Sequence, residues 1–187
     1  MIRVPLVALL LALSTTSGSA TTYSAVTFNE LVARADIIFV GEVVDVRPVP
    51  VTVREGAIIK TRVIFRVFDA IYGTSSTLEV FDFLGGEYGG VGMAVAEMPT
   101  FTVGDRRVIF ARRGQSINPI VGFTQGLLRI IRDESSVDRV FALDGVPIRN
   151  TDQIGQSRSL PSTSAVPMRL SDLRSRISDR LAAMRRR

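Results

Sequence analysis

The sequence predicts a mainly β domain, either a small barrel or a sandwich, with one short helix in front of the strands. Stretches rich in β-branched and aromatic residues alternate between apolar and polar side chains, and turn residues separate them at short intervals. Five to seven such stretches follow one another, which is the pattern of a small all-β fold. Closing these strands into a barrel would leave no strand edge exposed to aggregation.

The leading helix is predicted from a capping box. Thr27 is followed three residues later by Glu30, so each side chain can bond the backbone N–H of the other residue. Apolar residues then fall on one helical face: Phe28, Leu31, Val32 and Ala35. We expect the helix to end near Asp36.

The strongest strand prediction covers residues 58–72, where apolar and basic side chains alternate. Val63, Phe65 and Val67 point to one side of this strand, and Arg62 and Arg66 point to the other. Residues 37–46 form a second strand, and its interior Gly41 predicts a bulge or sharp bend. In residues 77–83 we place Leu78 and Val80 at the apolar positions, with the flanking aromatic residues as further candidates. Further strands are expected in residues 106–113, 127–132 and 137–143.

The two ends of the chain have different compositions from the centre. Residues 1–20 have the features of a signal peptide: Arg3, an apolar run over residues 4–13, and small residues before a cleavage site after Ala20. The mature protein would start at Thr21 and be secreted or periplasmic. We assign residues 21–148 to the β-barrel domain, 149–168 to a linker rich in Ser, Thr and Pro, and 169–187 to a basic amphipathic helix.

The C-terminal helix is predicted to begin with Ser171 as its cap. Its apolar stripe consists of Leu173, Ile177, Leu181 and Met184, with arginines elsewhere. Such a helix can fold back on the body, fray in solvent, dock on a partner, or lie on an anionic membrane. Contact with a membrane is the less favoured of these alternatives, because the stripe is short.

Composition excludes several classes of chemistry. The chain has no Cys and no His, which removes disulfides, thiolate metal sites and catalytic triads that depend on histidine. We therefore predict no catalytic residue, no metal site and no cofactor. The net charge of +5 lies mostly in the C-terminal helix, so the body is close to neutral and nucleic-acid binding is not expected.

The glycine-rich segment 85–92 is the most distinctive local motif. A phosphate-binding loop would need a helix after it, with a lysine and a serine or threonine, and none of these follows. A hairpin or bulge loop is the favoured interpretation. Should the loop bind a ligand instead, Glu87 and Tyr88 at its tip would make the contacts.

Two other groups of polar residues suggest weaker hypotheses. Glu79, Asp82, Glu87 and Glu97 could form a carboxylate pair, but Glu79 and Asp82 are three apart on a strand and so face opposite sides. The arginines at 62, 66, 106, 107, 112 and 113 could form one basic face, or pair across strands with Asp and Glu. Lys60, the single lysine, is expected at the surface.

Three sequence segments resemble a known family. Ala35-Asp36 leads into IIFVGEVV at residues 37–44, VIFRV follows at 63–67, and FTVGD at 101–105 precedes VIF at 108–110. This order is similar to the netrin-like, tissue-inhibitor-of-metalloproteinase-like branch of the OB fold, over roughly residues 27–143. It resembles even more closely bacterial secreted proteins that have the same AD-x-x-F-x-G-x-V opening and GG-x-x-G-G loop and lack the cysteines of the animal inhibitors. The resemblance implies an OB-like barrel, closed or partly open.

The animal inhibitors bind the protease zinc through a disulfide-held N-terminal cysteine. Here the predicted N-terminus is Thr21 and no cysteine holds it, so that mechanism is not carried over to a named residue. We expect a non-enzymatic exported binding module whose partner is another exported protein, with a metalloprotease as one candidate. Binding of an oligosaccharide or other polymer on the open face of the barrel is the alternative; exposed aromatic side chains on one strand would favour it.

Overall fold

The computed structural model describes residues 24–54, 56–155 and 166–186. Helix α1 is Phe28–Arg34, and the strands are β1 Ile37–Val53, β2 Gly56–Tyr72, β3 Leu78–Leu84, β4 Gly86–Tyr88, β5 Val91–Met93, β6 Arg106–Ala111, β7 Leu127–Arg132 and β8 Asp138–Phe141. A 3-10 turn at Thr151–Gln153 and helix α2 at Leu170–Arg185 follow. The predicted signal peptide and Thr21 lie outside the described residues.

Six strands form one antiparallel sheet in the order β3-β2-β1-β6-β7-β8, and β4 and β5 form a separate hairpin. The mainly β prediction and the two flanking helices are therefore confirmed. The closed form of the predicted barrel is wrong, since the end strands β3 and β8 do not pair with each other. Alternation in the sequence indicates which side chains are buried, but it does not determine whether the two end strands meet.

Helix α1 begins as the capping box predicts. The Glu30 N–H donates to the Thr27 hydroxyl, and the Glu30 carboxylate accepts from the Thr27 N–H at 2.8 Å. Phe28, Leu31 and Val32 are buried. The helix ends at Arg34, so its predicted extent is confirmed.

Both faces of the sheet are covered by apolar side chains. One face packs against the two helices through a cluster that includes Leu31, Phe110, Val140, Leu173 and Ile177. The opposite face contains a second cluster, whose members include Phe39, Phe65, Phe81, Phe83, Ile109 and Leu127. Rings of this cluster meet edge to face or stacked, with Phe39 and Phe65 centroids 5.8 Å apart.

One of the three register shifts between β1 and β2 lies at the glycine. The register with β2 shifts between Val40 and Gly41, which confirms the predicted irregularity. A Cβ at Gly41 would lie 2.9 Å from the Arg66 carbonyl oxygen and 2.9 Å from the Phe39 ring. Only a residue without a side chain lets the two strands and this ring approach so closely.

The alternation of β2 is as predicted, but in β3 only the flanking aromatic residues are buried, and the prediction is wrong for Leu78 and Val80. Val63 and Phe65 are fully buried, while Arg66 is exposed. In β3 the buried aromatic residues are Phe81 and Phe83, whereas Leu78 and Val80 are 53% and 50% exposed. Both alternating sets of this strand contain apolar residues, and the phenylalanines take the interior because they bury the larger apolar area.

Helix α2 is an integral part of the fold. Leu173, Ile177 and Leu181 are buried in the cluster shared with α1. Its N-cap is Arg169 without a side-chain cap bond, so the prediction of Ser171 as the cap is wrong. In the predicted linker, Thr151 and Ile154 are buried against the body, and residues 156–165 lie outside the described residues.

Candidate functional site

The sheet has strand edges at β3, at β8 and along the extension of β1. These edges differ in how they are protected from pairing with another strand. At β8, the Val140 N–H donates to the Met168 carbonyl at 3.0 Å, and the Ile148 N–H donates to the Val140 carbonyl at 3.1 Å. The segment before α2 thus covers this edge. Beyond Val43, β1 pairs only with β2, and on this stretch it has Pro48 and Pro50, which lack an N–H. Both devices prevent the addition of another strand.

Over most of its length, the edge of β3 is neither covered by another segment nor interrupted by proline. Thr77 accepts from the Val67 N–H at 2.8 Å, and Gly85 donates to the Ile59 carbonyl at 2.8 Å. Because hydrogen-bonded and non-bonded pairs alternate in an antiparallel ladder, every second residue between them points its backbone away from β2. These outward residues are Leu78, Val80, Asp82 and Leu84.

Only the last of these outward residues has a backbone partner. The Leu84 N–H donates to the Ile117 carbonyl at 2.8 Å. Among the described residues, no hydrogen bond reaches the backbone N–H or C=O groups of Leu78, Val80 or Asp82. The free edge therefore runs from Leu78 to Asp82, about 14 Å of extended strand.

Exposed apolar side chains accompany this free edge. Phe68 on β2 is 50% exposed and shares a face with Leu78 and Val80, since the register pairs Ile64 with Val80. The helices that cover the neighbouring half of this face do not cover these three side chains. Exposed apolar side chains beside unpaired backbone groups are the features of a strand-pairing surface.

A groove of about 410 Å³ runs beside the free edge. One wall is β3 with the first half of β2, and the other is the segment 112–119 that follows β6. The charged residues that line the groove are Lys60, Arg62, Arg112 and Arg113, against the single acid Asp82. The groove therefore has an excess of positive charge although the body as a whole is close to neutral.

Two of these cations are already paired. Arg62 donates two hydrogen bonds to Asp82, at 2.8 and 2.9 Å, and these bonds hold the pKa of the Asp82 carboxyl below its ordinary value. Arg113 donates to the Gly73 carbonyl and lies 3.7 Å from Glu79. For the side chains of Lys60 and Arg112, no hydrogen bond or ion pair with a described residue is present.

The glycine-rich segment forms the β4–β5 hairpin, as its favoured interpretation predicted. Gly89 and Gly90 both have positive φ, 59° and 79°, which is the backbone of a tight two-residue hairpin turn. Glu87 and Tyr88 lie next to each other on β4 and both are exposed. No other polar side chain is brought to them by a hydrogen bond among the described residues.

The acidic residues are dispersed. Glu79 is buried and accepts from the Thr74 hydroxyl, whereas Asp82 faces the other side of β3, as predicted from their spacing. No group of three or more acidic residues close enough to hold a metal ion occurs in the described part of the chain.

The predicted basic face resolves mostly into ion pairs. Besides the pair of Arg62 and Asp82 across β2 and β3, Arg106 donates to both oxygens of Asp138 at 2.9 and 2.8 Å, and Arg107 donates to Asp105. Pairing between neighbouring strands is therefore present for Arg62, whereas Arg106 reaches an acid on β8, two strands away, and Arg107 pairs with an acid two residues before it. Sequence reasoning missed the free edge of β3, although apolar residues in both alternating sets of this strand were a visible signal.

The chain matches no family model, and no curated protein or solved structure is significantly similar to it. Within the described residues, no helix is long and apolar enough to cross a membrane. Three residues of the predicted apolar stripe of α2, Leu173, Ile177 and Leu181, are buried against the body.

Proposed function

We propose that this chain is an exported, non-enzymatic binding module that pairs an extended segment of another protein with the free edge of β3. The observation that carries the proposal is the row of unpaired backbone groups from Leu78 to Asp82, flanked by exposed Leu78 and Val80. Addition of a strand to such an edge is a common mode of peptide recognition. Backbone hydrogen bonds supply affinity, and the flanking side chains supply selectivity.

The contrast with the other edges supports this interpretation. A segment covers β8, and prolines occupy the unpaired stretch of β1. An unprotected edge with apolar side chains is an aggregation hazard, so its presence beside two protected edges favours a role in binding. The family resemblance adds a metalloprotease as one candidate partner. Because Thr21 lies outside the described residues, the proposal rests on β3 alone.

Binding to a defined probe tests the proposal. The probe is a short fluorescent peptide in which valine alternates with glutamine, with N-methyl groups along one edge so that it cannot assemble with itself. We expect it to bind the wild-type protein and to shift the backbone amide signals of Leu78, Val80 and Asp82 in NMR spectra. The amide of Asp138 on β8 serves as the internal control.

A proline at position 80 supplies the matched variant. The Val80 N–H points away from β2, so Val80→Pro removes a donor for the added strand and leaves the ladder with β2 intact. Val80→Ala trims the side chain but keeps the N–H. We expect Val80→Pro to weaken peptide binding at least about fivefold relative to Val80→Ala, from the loss of one backbone bond and the steric effect of the ring. Equal binding by the two variants would refute strand addition at β3.

Export is tested separately. The N-terminal sequence predicts cleavage after Ala20, so mass spectrometry of protein recovered outside the cytoplasm should give Thr21 as its first residue. An intact Met1 on the recovered protein would contradict export by a cleaved signal peptide and would leave the binding proposal unaffected.

A further inference from the structure

We propose that the groove beside β3 makes the site selective for an acidic strand. This inference rests on the proposed function, because it names the chemical class of the segment that pairs with β3. The added strand would lie in the groove of about 410 Å³ between β3 and the segment 112–119. Its backbone would meet Leu78, Val80 and Asp82.

The cations around this path lie on both sides of the added strand. Lys60 lies on the same face of β2 as Arg62 and Ile64. Val80 and Asp82 of β3 project from this same face of the sheet. Arg112 lies on the opposite wall, on the segment that follows β6. An extended peptide alternates its side chains between two faces, so acidic residues on either face would meet a cation.

The protein neutralises the positive charge of the groove only in part, although attraction by Lys60 contributes to the lowered pKa of the Asp82 carboxyl. Asp82 accepts two hydrogen bonds from Arg62. Glu79 is buried, accepts a hydrogen bond from the Thr74 hydroxyl and forms an ion pair with Arg113. The side chains of Lys60 and Arg112 then have no ion-pair partner among residues 24–54, 56–155 and 166–186. An acidic strand gains attraction from both of these cations, whereas a basic strand is repelled by them.

Lys60 and Arg112 can bind an acidic residue without first breaking a hydrogen bond or ion pair of their side chains to a described residue. Arg112 is exposed, and its backbone N–H is already fixed by the Pro119 carbonyl at 2.7 Å, so the wall on which it sits is anchored. Lys60 lies at the register position opposite Leu84, where the Ile117 carbonyl closes the free edge. The position of the two cations thus favours acidic residues near the Asp82 end of the added strand.

Three peptides of equal length test the inference by fluorescence anisotropy. Each alternates valine with one other residue, which is glutamine, glutamate or lysine, and each has N-methyl groups along one edge. We expect the glutamate peptide to bind about fivefold more tightly than the glutamine peptide, and the lysine peptide to bind more weakly than both. Raising the salt from ~0.05 M to ~0.5 M should remove most of the glutamate advantage, because exposed charges are then screened.

The matched variants carry the same net charge. In K60Q/R112Q the glutamate advantage should fall to less than about twofold, with binding of the glutamine peptide unchanged. The control R34Q/R176Q removes two exposed charges from the helices, away from the groove, and should keep the advantage. If both double variants lose the tighter binding of the glutamate peptide equally, that preference comes from net charge and the inference is overturned.

The outcomes separate the two proposals. If the glutamine peptide binds and Val80→Pro weakens it, but the glutamate peptide shows no advantage, acidic selectivity is refuted and strand addition stands. If none of the three peptides binds the wild-type protein, both proposals are refuted.

Discussion

The direction of the β3 backbone predicts that proline destabilises the fold at one of two adjacent positions and has little effect at the other. The ladder places the Val80 N–H at the free edge and the Glu79 N–H toward Phe65 of β2. Proline at position 80 should therefore remove no hydrogen bond of the fold, whereas proline at position 79 removes one. Each proline variant is compared with the alanine variant at the same position, which subtracts the effect of losing the side chain.

The expected magnitudes follow from burial. Phe65 is fully buried, so Glu79→Pro leaves its carbonyl without a hydrogen-bond partner, which costs about 1–3 kcal/mol. The free energy of unfolding of Glu79→Pro should therefore lie about 1–3 kcal/mol below that of Glu79→Ala. For Val80, which is half-exposed, we expect the proline and alanine variants to agree within about 1 kcal/mol.

Urea denaturation followed by far-UV circular dichroism measures these differences, and it suits a chain without tryptophan. The slope of unfolding free energy against urea should be the same for all four variants, because the surface exposed on unfolding barely changes. A proline penalty at position 80 equal to or larger than that at position 79 would show that the inferred hydrogen-bond pattern of β3 is inverted.

Three further predictions concern the rest of the fold. Gly41→Ala should lower the free energy of unfolding by about 1–3 kcal/mol, because its Cβ would press on the Arg66 carbonyl; an unchanged urea midpoint would contradict the close approach. Ile177→Ala should cost about 2–5 kcal/mol in the same assay, since the side chain is fully buried; a cost near zero would mean that α2 is not docked. Asp82→Asn should cost about 0.2–1 kcal/mol at pH 7. Because Arg62 lowers the pKa of the folded Asp82 carboxyl, this difference should disappear as the pH falls below 3.8, and a difference that persists at lower pH would contradict the ion pair.

Local patterns predicted local structure well in this chain. The capping box at Thr27 identified where α1 begins, and a single alternating set of apolar residues determined which side of β2 is buried. In both cases all the interacting groups lie within a few residues of each other. The hairpin of the glycine-rich segment belongs to the same class, because two successive glycines with positive φ specify the turn by themselves.

Features that depend on distant residues were not predictable in the same way. β3 has apolar residues in both alternating sets, and the phenylalanines of β1 and β2 decide which set is buried, since Phe81 stacks on Phe39 with centroids 6.2 Å apart. The open sheet also depends on contacts far apart in sequence. The edge at β8 is covered by residues around Met168, at the end of the segment that the sequence assigned to a linker.

The arrangement of the edges connects the fold to the proposed site. A sheet that does not close must leave two edge strands, and each edge either binds another part of the chain, repels added strands or accepts a partner. Here residues around Ile148 and Met168 cover β8, and Pro48 and Pro50 deprive the β1 extension of donors. At β3 two of the three outward positions without a backbone partner hold Leu78 and Val80, neither of which is charged or lacks an N–H. The third holds Asp82, whose charge is paired with Arg62. Since a single lysine or proline at position 80 would protect this edge without breaking the ladder, its exposure supports the proposed role in binding.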